Sequence, residues 1–139
     1  MLNMPDLRGI HVLIVDDNED ARLILGAYLQ HLGAHITLAA SGAEGLAALA
    51  EIRAHVIVSD LSMPVMDGME FLRRVRQLPG QVPAPTPAIA FTGFTDRYSE
   101  TRARAAGFHV LLAKPTDPVE IAELIARMAR QRGSDAQSA

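Results

Sequence analysis

VIVSDLSMPVMDG, residues 56–68, decides the fold. An apolar run ends in Asp60, and Met-Pro and Asp-Gly follow it. A run rich in β-branched residues that barely alternates suits a strand buried on both faces, as in parallel sheets. Such a strand delivers a carboxylate to its own end only if that end opens on a site. Three more runs share the character: HVLIVD (11–16), AIAFT (88–92) and HVLLAK (109–114). A fifth, AHITLAA (34–40), alternates more and reads as a strand nearer an edge.

Helix signals lie between the strands. Leu25, Tyr28, Leu29 and Leu32 fall at helical spacing across 19–32, with Asn18 as N-cap, Glu19 and Asp20 at the positive end, and Gly33 as a stop. SGAE (41–44) fits a capping box, and DGME (67–70) fits a variant of it. DPVE (117–120) sets Asp117 at the cap and Pro118 in the first turn, ahead of an Ile121, Leu124, Ile125, Met128 stripe. TDRYSETRARAA (95–106) has charge and alanine but hardly an apolar face, which predicts either a helix that shifts easily or an ordinary solvated surface helix. LPGQVPAPTPA (78–88) is a loop, because proline removes donors and fixes φ. The tail RGSDAQSA (132–139) is small and polar and expected to fray.

This β-α alternation predicts one α/β domain, a doubly wound five-stranded parallel sheet with helices on both faces. The expected boundaries are an N-terminal extension at 1–8, the domain at 9–131 and the polar tail at 132–139.

Composition narrows the function. A chain of 139 residues, 49% apolar with mean hydropathy +0.13, suits a single core. A formal charge of −3 gives no global pull toward nucleic acid or an anionic membrane. Without cysteine there are no disulfides or thiolate-metal sites. The first ten residues lack a signal-peptide pattern, and no apolar run nears the roughly 20 residues that span a bilayer. The expectation is a cytoplasmic protein.

In a parallel sheet the strand ends meet at one edge, where ligands bind. Those ends carry Asp16 and Asp17, Asp60, Thr92, and Lys114 with Pro115. Singly, each has an ordinary structural reading as a turn, cap or strand end. Jointly they describe a chemistry. Clustered carboxylates repel one another unless a cation is present, and Mg²⁺ accepts such oxygens while keeping waters for a phosphate. Lysine and threonine bind phosphoryl oxygens, and a carboxylate can attack phosphorus to give an acyl phosphate.

At these residues the chain resembles the receiver domain of two-component response regulators. VLIVDDNEDAR, VIVSDLSMPVMDGMEFL, AIAFTG and LLAKP carry the resemblance in family order, over roughly residues 9–131. It implies a flavodoxin-like strand order 2-1-3-4-5. It also implies roles. Asp60 is the phosphoacceptor. Asp17 and Asp60 are direct Mg²⁺ ligands, Asp16 acts directly or through water, and the Ser62 carbonyl completes the metal site. Thr92 is the switch hydroxyl, Lys114 binds phosphate, and Pro115 follows it, often through a cis peptide bond. The implied partners are a histidine kinase or histidine phosphotransfer protein as donor and a downstream protein target, with no nucleic acid and no membrane. The expected state is a monomer or weak dimer. Such a domain is not an enzyme beyond promoting its own phosphorylation and dephosphorylation.

One position departs from the family. Where members often carry a Tyr or Phe three residues before the lysine, this chain has Leu111, which cannot make the same swing. Phe94 and Phe108 are the nearby aromatics, and core packing is the reading for both. The GFHVLLAKP segment (107–115) looks like receivers of hybrid histidine kinases or small stand-alone regulators, and the chain opens on Met1 with no output domain in these residues. A receiver excised from a hybrid kinase or larger regulator is therefore the alternative. A binding-only pseudo-receiver is argued against by the full site. A haloacid-dehalogenase-type phosphatase needs a second Asp two residues after the nucleophile, where Asn18 and Ser62 stand. No phosphate-binding glycine loop occurs. His11, His31, His35, His55 and His109 lack metal-ligand spacing and read as surface or strand-end residues.

Overall fold

The computed structural model describes residues 4–82, 84–93 and 100–138, and of 132–138 the backbone path alone. The elements run β1 His11–Val15, α1 Glu19–His31, β2 His35–Ala39, α2 Gly42–Leu49, β3 Val56–Asp60, α3 Gly68–Arg76, β4 Ala88–Thr92, α4 Glu100–Ala106, β5 Val110–Ala113 and α5 Pro118–Ser138. All strand pairs are parallel, in the order β2-β1-β3-β4-β5. The predicted strand order is the observed one.

Local chemistry sets the helix starts where the sequence placed them. The Asn18 side chain accepts from the Ala21 N–H at 2.8 Å, Ser41 Oγ from Glu44 at 3.1 Å, and Asp67 Oδ1 from Glu70 at 2.9 Å. Asp117 Oδ1 accepts from the Val119 N–H at 2.9 Å. Each such cap contributes about 1 kcal/mol. Gly33 ends α1 at φ +104°, a conformation that suits glycine.

The sheet separates two apolar layers. Leu13, Val15 and Ile57 face Met69, Phe71, Leu72 and Val75 of α3 and Ala103 and Ala106 of α4. On the other face Val12, Ile14, Val56, Val58 and Ile89 meet Leu29 of α1 and Ile121 and Ile125 of α5. Burying side chains of this size stabilises by about 1.5–3 kcal/mol each. β3 and β4 are buried at every position, as a two-sided core strand should be.

β5 differs from expectation. Its apolar run reads as fully buried, yet Val110, Leu111 and Leu112 are only half-buried and Ala113 is exposed. The cause is position. β5 forms the sheet edge, and only two α4 side chains, Ala103 and Ala106, are buried beside it. Of the predicted 95–106 helix, Thr95–Ser99 lie outside the described residues, as does Phe94. Phe108 is buried in the core. At the other end α5 continues to Ser138, through the stretch expected to fray. Alanine, glutamine and arginine favour helix, and the single Gly133 costs only about 1 kcal/mol.

Candidate functional site

The carboxyl ends of β1, β3, β4 and β5 converge because the strands are parallel and in near register. Asp16 and Asp60 are 7% exposed, while Asp17, one residue further along, is exposed. One carboxylate oxygen from each of the three lies within 4.8 Å of the others. Three hard oxygens at that spacing can hold a hard divalent cation such as Mg²⁺.

Lys114 reaches this cluster from β5. Its Nζ stands 3.3 Å from Asp60 Oδ2 and 4.0 Å from Asp16 Oδ2. The Lys114 N–H donates to the Thr92 carbonyl at 2.7 Å, which fixes the end of β5 against that of β4. The Lys114–Pro115 peptide is cis. Burial pushes the Asp60 carboxyl up, Lys114 pulls it down, and Asp16 pushes it up again; burial prevails, so the group holds its proton more tightly than an ordinary aspartate.

Thr92 follows Phe91, the register partner of Asp60, and is 5% exposed. Its hydroxyl is buried and, among the described residues, has no hydrogen-bond partner. Native cores rarely leave such a group unmatched, and where they do it often marks a function. Ser62 is exposed, and its N–H donates weakly to Asp60 Oδ1 at 3.3 Å. The six sequence-chosen positions Asp16, Asp17, Asp60, Ser62, Thr92 and Lys114 thus meet at one edge.

Arg22 shapes the site without a sequence signal, and Val65 and Gly68 lie in the MPVMDG loop (63–68), which the family resemblance implies shapes the site. Arg22, within α1, donates Nη1 to the Asp16 carbonyl at 2.8 Å, while Asp16 Oδ1 accepts from the Asn18 N–H at 2.9 Å. Together they hold the turn that carries both β1 carboxylates. Gly68 packs so closely under Asp60 that a Cβ there would run into the Asp60 carbonyl oxygen. Val65 is fully exposed at φ +70°, and the Met66 N–H donates to the Pro64 carbonyl at 2.8 Å across it. That is a strained three-residue turn, unusual for a β-branched side chain. No one-dimensional signal points to Arg22. The MDG run gives the turn but not the crowding.

The response regulator receiver domain family matches residues 12–126. The chain belongs to the response regulator receiver family. It is 41% identical over 107 residues to a probable chemotaxis protein CheY of Rhizobium etli, covering 76% of this chain and 81% of that protein. The chemotaxis response regulator CheY4 of Vibrio cholerae superposes with a TM-score of 0.77 at 34% identity, covering 86% of this chain and 98% of that one. A sensor histidine kinase, AtsR of Burkholderia thailandensis, is 42% identical over 69 residues, 50% of this receiver but 12% of the kinase. This receiver is therefore related both to CheY-like regulators and to receivers carried within kinases. Among the described residues no helix is long and apolar enough to cross a membrane.

Proposed function

We propose that this receiver accepts a phosphoryl group on Asp60 from a phosphohistidine donor. One observation carries the reading: Lys114 Nζ stands 3.3 Å from Asp60 within a three-carboxylate cluster. The donor set fits Mg²⁺, held by Asp17 and Asp60, by Asp16 directly or through water, and by the Ser62 carbonyl. When bound, the ion neutralises the carboxylates and draws charge from phosphoryl oxygens.

An Asp60 carboxylate oxygen attacks phosphorus, the P–N bond to the donor imidazole breaks, and the imidazole leaves with the electron pair. The product is an aspartyl phosphate, carrying about −1.5 to −2 charge and three acceptor oxygens. Lys114 already stands against Asp60 and binds one of those oxygens. The unpartnered Thr92 hydroxyl gains an acceptor for the first time, which pulls the end of β4 toward the site. Helix α4, which buries only Ala103 and Ala106, moves in response. Leu111 is half-buried against the core and takes no part in an aromatic swing, so the switch rests on Thr92. The chain is not an enzyme acting on other substrates; it is a cytoplasmic switch for protein contacts, monomeric or weakly dimeric. Its donor is a histidine kinase or histidine phosphotransfer protein, and its output is a protein target rather than nucleic acid or membrane. The match to a segment of AtsR supports a second reading, the same chemistry within a hybrid kinase.

Intact mass after incubation with acetyl phosphate tests this. A gain of one phosphoryl group is expected with Mg²⁺, and none without Mg²⁺ or in Asp60→Asn. No gain, together with unchanged amide NMR shifts on adding beryllofluoride and Mg²⁺, would sink the proposal.

A further inference from the structure

The amino end of the same sheet repeats one device twice. His55 immediately precedes β3, and its backbone N–H donates to the His11 carbonyl on β1 at 2.8 Å. The His11 N–H answers by donating to His55 Nδ1 at 2.9 Å. His109 immediately precedes β5, and its N–H donates to the Ala88 carbonyl on β4 at 2.9 Å. The Ala88 N–H donates back to His109 Nδ1 at 3.1 Å. In both cases the imidazole supplies the acceptor that the first N–H of the neighbouring strand would otherwise lack.

A ring nitrogen accepts only while it is unprotonated. In this geometry Nδ1 of each ring is the acceptor, so the tautomer that makes the bond carries its hydrogen on Nε2. Protonation would set Nδ1–H against a backbone N–H and remove the cap. We propose that His55 and His109 are acid-releasable caps that fasten the amino end of the sheet at neutral pH and loosen it, the β5 edge included, on acidification.

The surroundings work in the same direction. The His11 ring, 2.6 Å from Thr37 Oγ1 through Nε2, lies with its centroid 6.2 Å from that of His35. Burial first, then His35 and His55, push its titration down. His109 is pushed down first by partial burial, then by Arg76 from α3 and Arg104 from α4. Each of these neighbours is a cation or becomes one on protonation. The unfolded chain therefore binds the proton more readily than the fold does. The stability that His109 contributes is complete above the ordinary histidine value of about 6.5 and is lost as pH falls below it. Release at His109 also frees the strand start next to Gly107, whose carbonyl Arg76 holds at 2.6 Å and 3.2 Å.

Urea unfolding of the full chain at pH 7.5 and 5.5 tests the proposal, beside the double variant His55→Asn with His109→Asn. Asparagine offers an oxygen near the Nδ1 position and does not titrate. The wild type is expected to lose about tenfold more of its folded-to-unfolded ratio on acidification than the double variant does. Equal losses would overturn the proposal. Should the double variant not fold, ¹⁵N NMR of the wild-type rings decides. Unprotonated Nδ1 in both rings at pH 7.5, with a His109 midpoint below that of free histidine, is expected. Protons on Nδ1 at pH 7.5 would overturn it.

Discussion

The two ends of one sheet treat their polar groups in opposite ways. At the amino end, imidazoles complete backbone pairs, and His55 and His109 each hold a neighbouring strand's first N–H. At the carboxyl end, three carboxylates crowd together and the Thr92 hydroxyl is buried with no partner among the described residues. Both ends hold titratable residues at strand termini, so residue type alone does not separate them. The difference is satisfaction: the two histidines complete backbone pairs as folded, whereas the clustered carboxylates and the Thr92 hydroxyl are matched, on the function proposed above, by a cation and a phosphoryl group. A protein tolerates such incompleteness where a ligand supplies the missing partners.

Substitutions can break this contrast. The largest stability effect is expected at Gly68, where any side chain meets the Asp60 carbonyl and the Leu61 Cα, 2.8 Å from the ideal Cβ. Gly68→Ala should lower stability by about 3 kcal/mol in urea titration and also slow phosphorylation, because the backbone under Asp60 must shift. A loss below about 1 kcal/mol would mean that the loop yields freely.

Thr92→Val should do the reverse. It replaces an unpartnered buried hydroxyl by a methyl of similar size, and should raise stability by about 1 kcal/mol. It should also abolish the amide-exchange change across 100–112 expected from the proposed phosphorylation. A destabilised Thr92→Val would show that the hydroxyl is already bonded in solution.

A subtler test uses pH. The Asp60 carboxyl holds its proton more tightly in the fold than in the unfolded chain. Its stabilising contribution is therefore present in acid and lost as pH rises through the folded value. In Mg²⁺-free buffer Asp60→Asn should show a higher urea midpoint than wild type at pH 7.5. The advantage should shrink as pH falls through the raised folded value, where the wild-type carboxyl takes up its proton. An advantage that does not change with pH would break the link to Asp60 ionisation.

Much of this was legible from residue order. Strand runs, caps at Asn18, Ser41, Asp67 and Asp117, and the parallel arrangement follow from local patterns and handed crossovers, while the strand order came from the family resemblance. Asp16, Asp17, Asp60, Thr92 and Lys114 could be grouped because a parallel sheet brings strand ends to one edge. What escaped depends on distances that no period encodes. The half-exposure of β5 follows from its place at the edge rather than from its composition. Arg22 reaches back to a carbonyl across a helix turn. Gly68 matters because of one close approach. The histidines read as unremarkable surface residues because their partners are backbone N–H groups on other strands.

The shape of the β5 edge has a consequence for self-association. An open strand edge presents unpaired N–H and C=O groups on which another chain can build a sheet. Here that edge is only 4 residues long. It opens after His109, whose ring folds inward to Ala88, and closes on Lys114 and then Pro115, which has no N–H to offer. A charge and a proline at the terminus of so short a strand give an incoming chain little to pair with. The lysine and proline that border the site thereby also make the β5 edge a poor template for strand addition.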